Sequence, residues 1–129
     1  MQDQDRSYSE RPPLWTGHAY LYSRDAERAG NFFEQLGLRP VAIMQPFSVL
    51  EMRGGTHIVV RLDPNDEGRP AEFDLMVDDL EATHKAWTEL GVTVSDIARN
   101  ARATGRSFTL TDLDGNTIVV RDNHVVGAV

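Results

Sequence analysis

At 129 residues and 14.4 kDa, with 40% hydrophobic and 26% charged residues, the chain holds about one domain's worth of ordinary globular protein. That composition excludes a disordered chain, a collagen-like repeat and a coiled coil, and no run approaches the roughly 18 apolar residues of a membrane span. Zero cysteines exclude disulfides and thiolate chemistry, while 13 Lys+Arg against 20 Asp+Glu give a net charge of −7. Such a balance is repelled by phosphate backbones and anionic membranes, so neither nucleic acid nor a membrane is an expected partner. The polar opening over residues 1–13 predicts a flexible arm, no secretory signal and a cytoplasmic setting.

Residues 17–23 alternate in the strand period, with Tyr20, Leu21 and Tyr22 among them. Asp25 is a natural N-cap, and Glu27 in the first turn suits the positive end of a helix. Ala29, Phe32, Phe33 and Leu36 carry the helical stripe until Gly37 stops it. Three short strands follow, at about 40–44, 47–52 and 56–62, with Arg53-Gly54-Gly55 as a turn. A polar linker, Asp63 to Pro70, leads to a strand over 72–77. Asp79 and Glu81 then open a second helix with Leu80, Thr83, Trp87 and Leu90 at helical spacing and Gly91 as its stop. Strands are expected at 93–97, 106–111 and 117–122, with the turn Asp112-Leu113-Asp114-Gly115-Asn116 before the last.

The second half repeats the first. The stretch beginning at His18 aligns with the stretch beginning at Glu72, 54 residues on, so that Asp25 meets Asp79, Leu36 meets Leu90 and Gly37 meets Gly91. Ile58-Val59-Val60-Arg61 recurs identically as Ile118-Val119-Val120-Arg121, now 60 residues on, which requires one short insertion in the segment 95–105. The reading is α+β: two βαβββ modules, about 15–63 and 71–123, forming a curved mixed sheet around a cup, with the helices on its outer face. Together they make one domain over 14–125, followed by a tail at 126–129.

Alternation assigns the faces. Ala19 and Leu21 oppose His18, Tyr20 and Tyr22; Ile58 and Val60 oppose His57, Val59 and Arg61; Phe73, Leu75 and Val77 oppose Glu72, Asp74 and Met76. The apolar side must bury the helices. The other side collects His18, Tyr20, Tyr22, Glu51, His57, Arg61, Glu72, Asp74 and Arg121, which reads either as a solvated sheet face or as a binding surface of convergent polar and aromatic groups. Arg61 and Arg121 either reach a ligand or pair with Glu51, Glu72 or Asp74. Arg99, Arg102 and Arg106 cluster in the inserted loop, where they are either anion-receiving or solvated. His84 is expected on the helix surface, His124 in the tail, and Phe33 and Trp87 in the core. Trp15, just before the first strand, is a candidate to pack against it.

The paired modules, the His18-x6-Asp25 opening, the Val77-Asp78-Asp79-Leu80-Glu81-Ala82 block and the Asp112–Asn116 turn resemble the vicinal-oxygen-chelate superfamily of glyoxalases, bleomycin-resistance proteins and extradiol dioxygenases. The resemblance runs from about Trp15 to Val125, with Leu113 where the family's turn usually has proline. In metal-dependent members four cup-facing positions supply ligands. Carried over, they fall on His18, Val59, Glu72 and Val119, so two of the four offer no lone pair. His57, beside Val59, is a candidate substitute ligand. The resemblance also implies a homodimer.

Three functions fit these residues. The first is a small-molecule binder that holds a drug or metabolite in a polar-aromatic cup without metal, using Tyr20, Tyr22, Glu51, His57, Arg61, Asp74 and Arg121. The second is a glyoxalase-like lyase, isomerase, transferase or dioxygenase holding Ni, Zn, Mn or Fe through His18, Glu72 and a rebuilt ligand set. The third is a metal-free enzyme in which His57 or Asp74 moves a proton.

Overall fold

The computed structural model describes residues 9–99 and 105–129. Most of the expected arm and Arg102 of the inserted loop lie outside the described residues. The elements are β1 (His18–Ser23), α1 (Ala26–Leu36), β2 (Arg39–Ile43), β3 (Phe47–Glu51), β4 (His57–Leu62), β5 (Pro70–Val77), α2 (Leu80–Glu89), β6 (Thr93–Val94), β7 (Ala98–Arg99), β8 (Arg106–Thr111) and β9 (Thr117–Asp122). They form two mixed sheets, β1-β4-β3-β2 and β5-β9-β8-β6, with β7 paired to β8. In each sheet the module's first strand runs parallel to its last, and the other pairings are antiparallel. The strands make two open sheets that meet where β1 touches β5, and not one continuous sheet.

The repeat extends to single hydrogen bonds. Asp25 Oδ1 accepts the Arg28 N–H and Asp79 Oδ1 accepts the Ala82 N–H, so each carboxylate satisfies one orphan donor of its helix. At the other end, Gly37 N donates to Glu34 O and Leu38 N to Phe33 O. Gly91 N to Thr88 O and Val92 N to Trp87 O reproduce this 54 residues later. Both glycines have positive φ, 116° and 82°, which is why glycine stops both helices.

Helix α1 lies close on β3 because Gly30 has no side chain: a Cβ there would sit 2.6 Å from Ser48 Oγ, the hydroxyl that donates to Ala26 O. Phe33, Leu50, Ile58, Leu80, Phe108, Leu110, Ile118 and Val120 are buried in one cluster drawn from both modules, with Trp87 packed edge-to-face on Phe108. The Trp87 indole also donates to Leu36 O at 3.3 Å, so the second helix satisfies a terminal carbonyl of the first.

Two expectations change. Of the strand expected over 93–97 only Thr93–Val94 forms, and pairing resumes at Ala98–Arg99, because Ser95 Oγ accepts the Thr109 N–H and three residues, Ser95 to Ile97, face two on β8. The insertion does fall there, between β6 and β8. His84 is half-buried and not a free surface residue; its Nε2 bonds Ser95 O at 2.8 Å and its ring meets Phe108 edge-on. The polar linker is itself packed: Asp66 is buried, and Gly68 lies against the backbone of Asp114 and Gly115. No helix among the described residues is long and apolar enough to cross a membrane.

Candidate functional site

The faces opposite the helices carry the residues that alternation assigned to them. Across the first sheet, register places His18, His57, Glu51 and Arg39 in one row, Tyr20, Val59, Val49 and Ala42 in the next, and Tyr22, Arg61 and Phe47 in a third. Across the second, Asp74, Val119 and Thr109 form one row, and Met76, Arg121 and Ser107 another. This inner surface is open in the single chain: Tyr20 is 49% exposed, Met76 45%, Phe47 40% and Tyr22 39%. Two shallow depressions of 220 and 320 Å³ lie on the helix side instead, sharing Arg28 and Leu113, and none of these inner-face residues lines them.

Most inner-face charges are already paired. Arg39 Nε donates to Glu51 Oε1 at 2.6 Å, and Glu51 Oε2 lies 3.8 Å from His57 Nε2. Arg121 Nε donates to Asp74 Oδ2 at 2.9 Å. Arg61 differs from its repeat counterpart Arg121: its guanidinium stacks on Tyr20, 4.6 Å from the ring centroid, and no carboxylate among the described residues lies within ion-pair distance of it. The Tyr20 ring is in turn 6.0 Å from His18, whose ring is 5.6 Å from that of His57. Arg61, Tyr20, His18 and His57 thus form a continuous run of planar groups. Arg69 of the linker lies 6.0 Å over Tyr22, a contribution that alternation could not reveal because the linker has no period.

Other sequence candidates are engaged elsewhere. Arg106 donates through both terminal nitrogens to Glu81, with Asp122 at 3.4 Å, so it is a structural clamp and not an anion receptor. The paired Arg106 guanidinium holds the Glu81 carboxyl below its ordinary pKa, and Glu81 in turn raises that of Arg106. Arg99 and His124 are exposed, and Trp15 is 71% exposed.

Val59 and Val119 occupy two of the four positions that the resemblance marks as ligands, and valine cannot coordinate. The other two are not equivalent either. His18 pairs in regular register with His57, whereas Glu72 lies in an irregular stretch of β5, where Pro70 and Asp74 bracket it against only Thr117 to Val119. Among the described residues no three His, Asp or Glu side chains converge as a metal-binding group. The residues present do not fit a tightly held divalent ion.

Residues 15–120 match the sequence family described as Glyoxalase/Bleomycin resistance protein/Dioxygenase superfamily. No curated protein matches the chain. Among solved structures, a member of that superfamily from Sphaerobacter thermophilus is similar at a TM-score of 0.74 and 23% identity, over 85% of this chain and 98% of that one. A bleomycin-binding protein complexed with bleomycin is similar at 0.69 and 19%, over 86% and 99%. A lactoylglutathione lyase from Agrobacterium tumefaciens is similar at 0.70 and 17%, over 87% and 96%. At these identities the structures speak for the fold, and the fold is the same doubled arrangement that the caps, strands and turns of this chain build. By its sequence match, over most of its length, the chain belongs to the glyoxalase/bleomycin-resistance/dioxygenase superfamily.

Proposed function

We propose that this protein binds a small molecule, a drug or metabolite, on its polar-aromatic inner surface and does so without a metal. The observation that carries this reading is the exposed set Tyr20, Tyr22 and Phe47 on one face of the first sheet with His18, His57 and Arg61. Large rings left open to solvent beside directional polar groups suit a flat, conjugated ligand. The bleomycin complex of a similar fold supports it. A second copy of the chain, closing over the open surface, supplies the missing wall, so the working form is a homodimer; the setting is cytoplasmic.

Retention of His18 and Glu72 favours a second reading, a metal-dependent lyase, isomerase, transferase or dioxygenase. The valines at 59 and 119 weigh against it, through donor chemistry and not through any missing ion.

The test is thermal denaturation of the full chain, purified without a histidine tag, against a panel of conjugated drugs and metabolites and against Ni, Zn, Mn and Fe. A ligand present at a hundred times its Kd stabilises by about 2.7 kcal/mol. Such a shift from an organic ligand, reduced in Tyr20→Ala, is the expected result. Stoichiometric metal that disappears in His18→Ala and Glu72→Ala would replace this reading with the enzymatic one.

A further inference from the structure

Resting on that reading, the charge pairing of the inner surface assigns the ligand's chemical class. In a chain of net charge −7, cationic side chains are in short supply, and those of the described residues mostly face carboxylates. On the inner surface Arg39 is taken by Glu51 and Arg121 by Asp74. Glu72, which has no ion pair among the described residues, lies on β5 in the other sheet and beyond 4.0 Å of Arg61. Arg61 alone among the inner-face arginines has no carboxylate partner among the described residues.

Its geometry leaves that charge usable. The guanidinium carbon lies over the Tyr20 ring, 4.6 Å from its centroid, and none of its N–H groups donates to a protein acceptor among the described residues. Register places Tyr22 and Phe47 on either side of Arg61 in the same row, both rings exposed. A planar anion meets both needs at once: its ring packs among Tyr20, Tyr22 and Phe47, and its carboxylate or sulfonate accepts two parallel hydrogen bonds from Arg61. The imidazoles of His18 and His57, next along the same run, add donors for a second oxygen.

We infer that the inner surface of the first module recognises an anionic aromatic ligand, with Arg61 as its anion receptor and Tyr20, Tyr22 and Phe47 as its platform.

Three probes of one shape and different charge test this: 2-naphthoate, 2-naphthylmethanol and 2-naphthylmethylammonium, titrated calorimetrically into the full chain. The naphthoate is expected to bind at least about tenfold more tightly than the alcohol, as a charge-assisted pair gives. Its affinity should fall with added NaCl. Arg61→Gln should remove the preference of naphthoate over the alcohol, and Arg61→Lys should keep part of it. Far-UV circular dichroism checks that each variant is folded. Tighter binding of the alcohol or the ammonium, or a naphthoate preference that survives in Arg61→Gln, overturns the inference and leaves the small-molecule reading standing. If none of the three binds, but an uncharged or cationic compound from the broader panel does and Tyr20→Ala weakens it, the inference alone falls. Failure of every compound overturns both.

Discussion

The side-chain amide of Asn116 donates to the backbone carbonyl of Tyr22 at 2.9 Å, across 94 residues of sequence. The same amide nitrogen donates to Asp112 Oδ2, and the Asn116 side-chain oxygen accepts the Arg69 N–H. One buried side chain therefore ties together the strand that presents the aromatic platform, the linker and the last turn. Replacing it with alanine strands partners on three segments, one of them the buried Asp112 carboxylate. Asn116→Ala should lower unfolding stability by about 2–4 kcal/mol in urea titrations, and loosening the Tyr22 backbone should weaken ligand binding as well.

Gly68 and Gly54 give a matched pair. Both have positive φ, 79° and 78°, but a Cβ at Gly68 would lie 2.5 Å from Asp114 O, whereas nothing lies within 4 Å at Gly54. Gly54→Ala should cost only the left-handed penalty, about 1–2 kcal/mol. Gly68→Ala should cost about 3 kcal/mol or more, because backbone cannot move aside as a flexible side chain can. Equal midpoints for the two variants in chemical denaturation would contradict the close packing of the linker.

Asp78 receives hydrogen bonds from Arg53, at 2.6 Å, and from Asn123, also at 2.6 Å, and these hold its carboxyl down at about 2 from an ordinary 3.8. A lowered carboxyl pKa adds stability that is complete above the unfolded value and is lost as pH falls through the folded one. The window is therefore about pH 4 down to about 2. Carboxyl carbon NMR should give a midpoint near 2 for Asp78, rising in Arg53→Ala yet stopping short of 3.8, because Asn123 still donates.

Tyr20 and Phe47 should separate binding from stability. At 49% and 40% exposed, each ring is about half-buried, so alanine there is expected to cost about 1–2 kcal/mol of stability, too little to unfold the chain. Ligand affinity should nonetheless drop about tenfold for either, since stacked ring area is lost from the platform. A binding-neutral Tyr20→Ala would remove the inner surface as the site.

The repeat was legible because it is written in local chemistry. Asp25 and Asp79, and Gly37 and Gly91, each act on backbone a few residues away, the twin Ile-Val-Val-Arg strands carry their own alternation, and the caps form as the spacing predicts. What alternation could not supply was partners. It placed Arg61 and Arg121 on one surface by identical patterns, yet one meets Asp74, 47 residues away, and the other meets Tyr20. Parity fixes the direction of a side chain and leaves its neighbour on the next strand undetermined. Ser95 shows the same limit: a hydroxyl that substitutes for a ladder carbonyl splits a strand, and no period announces it. His84 looked solvent-facing from its helix neighbours because Phe108, which covers one side of it, comes from another module segment.

The indole of Trp87, plugged into the end of α1 at Leu36, has a thermodynamic consequence. An isolated first half would leave that helix end unsatisfied and the apolar stripe of Phe32 and Phe33 without part of its cover, while an isolated second half would expose a tryptophan that is only 7% accessible in the intact chain. Neither half is autonomous. A polypeptide duplicated in its grammar should therefore melt in a single cooperative transition, with calorimetric and van't Hoff enthalpies in agreement and no plateau at half-unfolding.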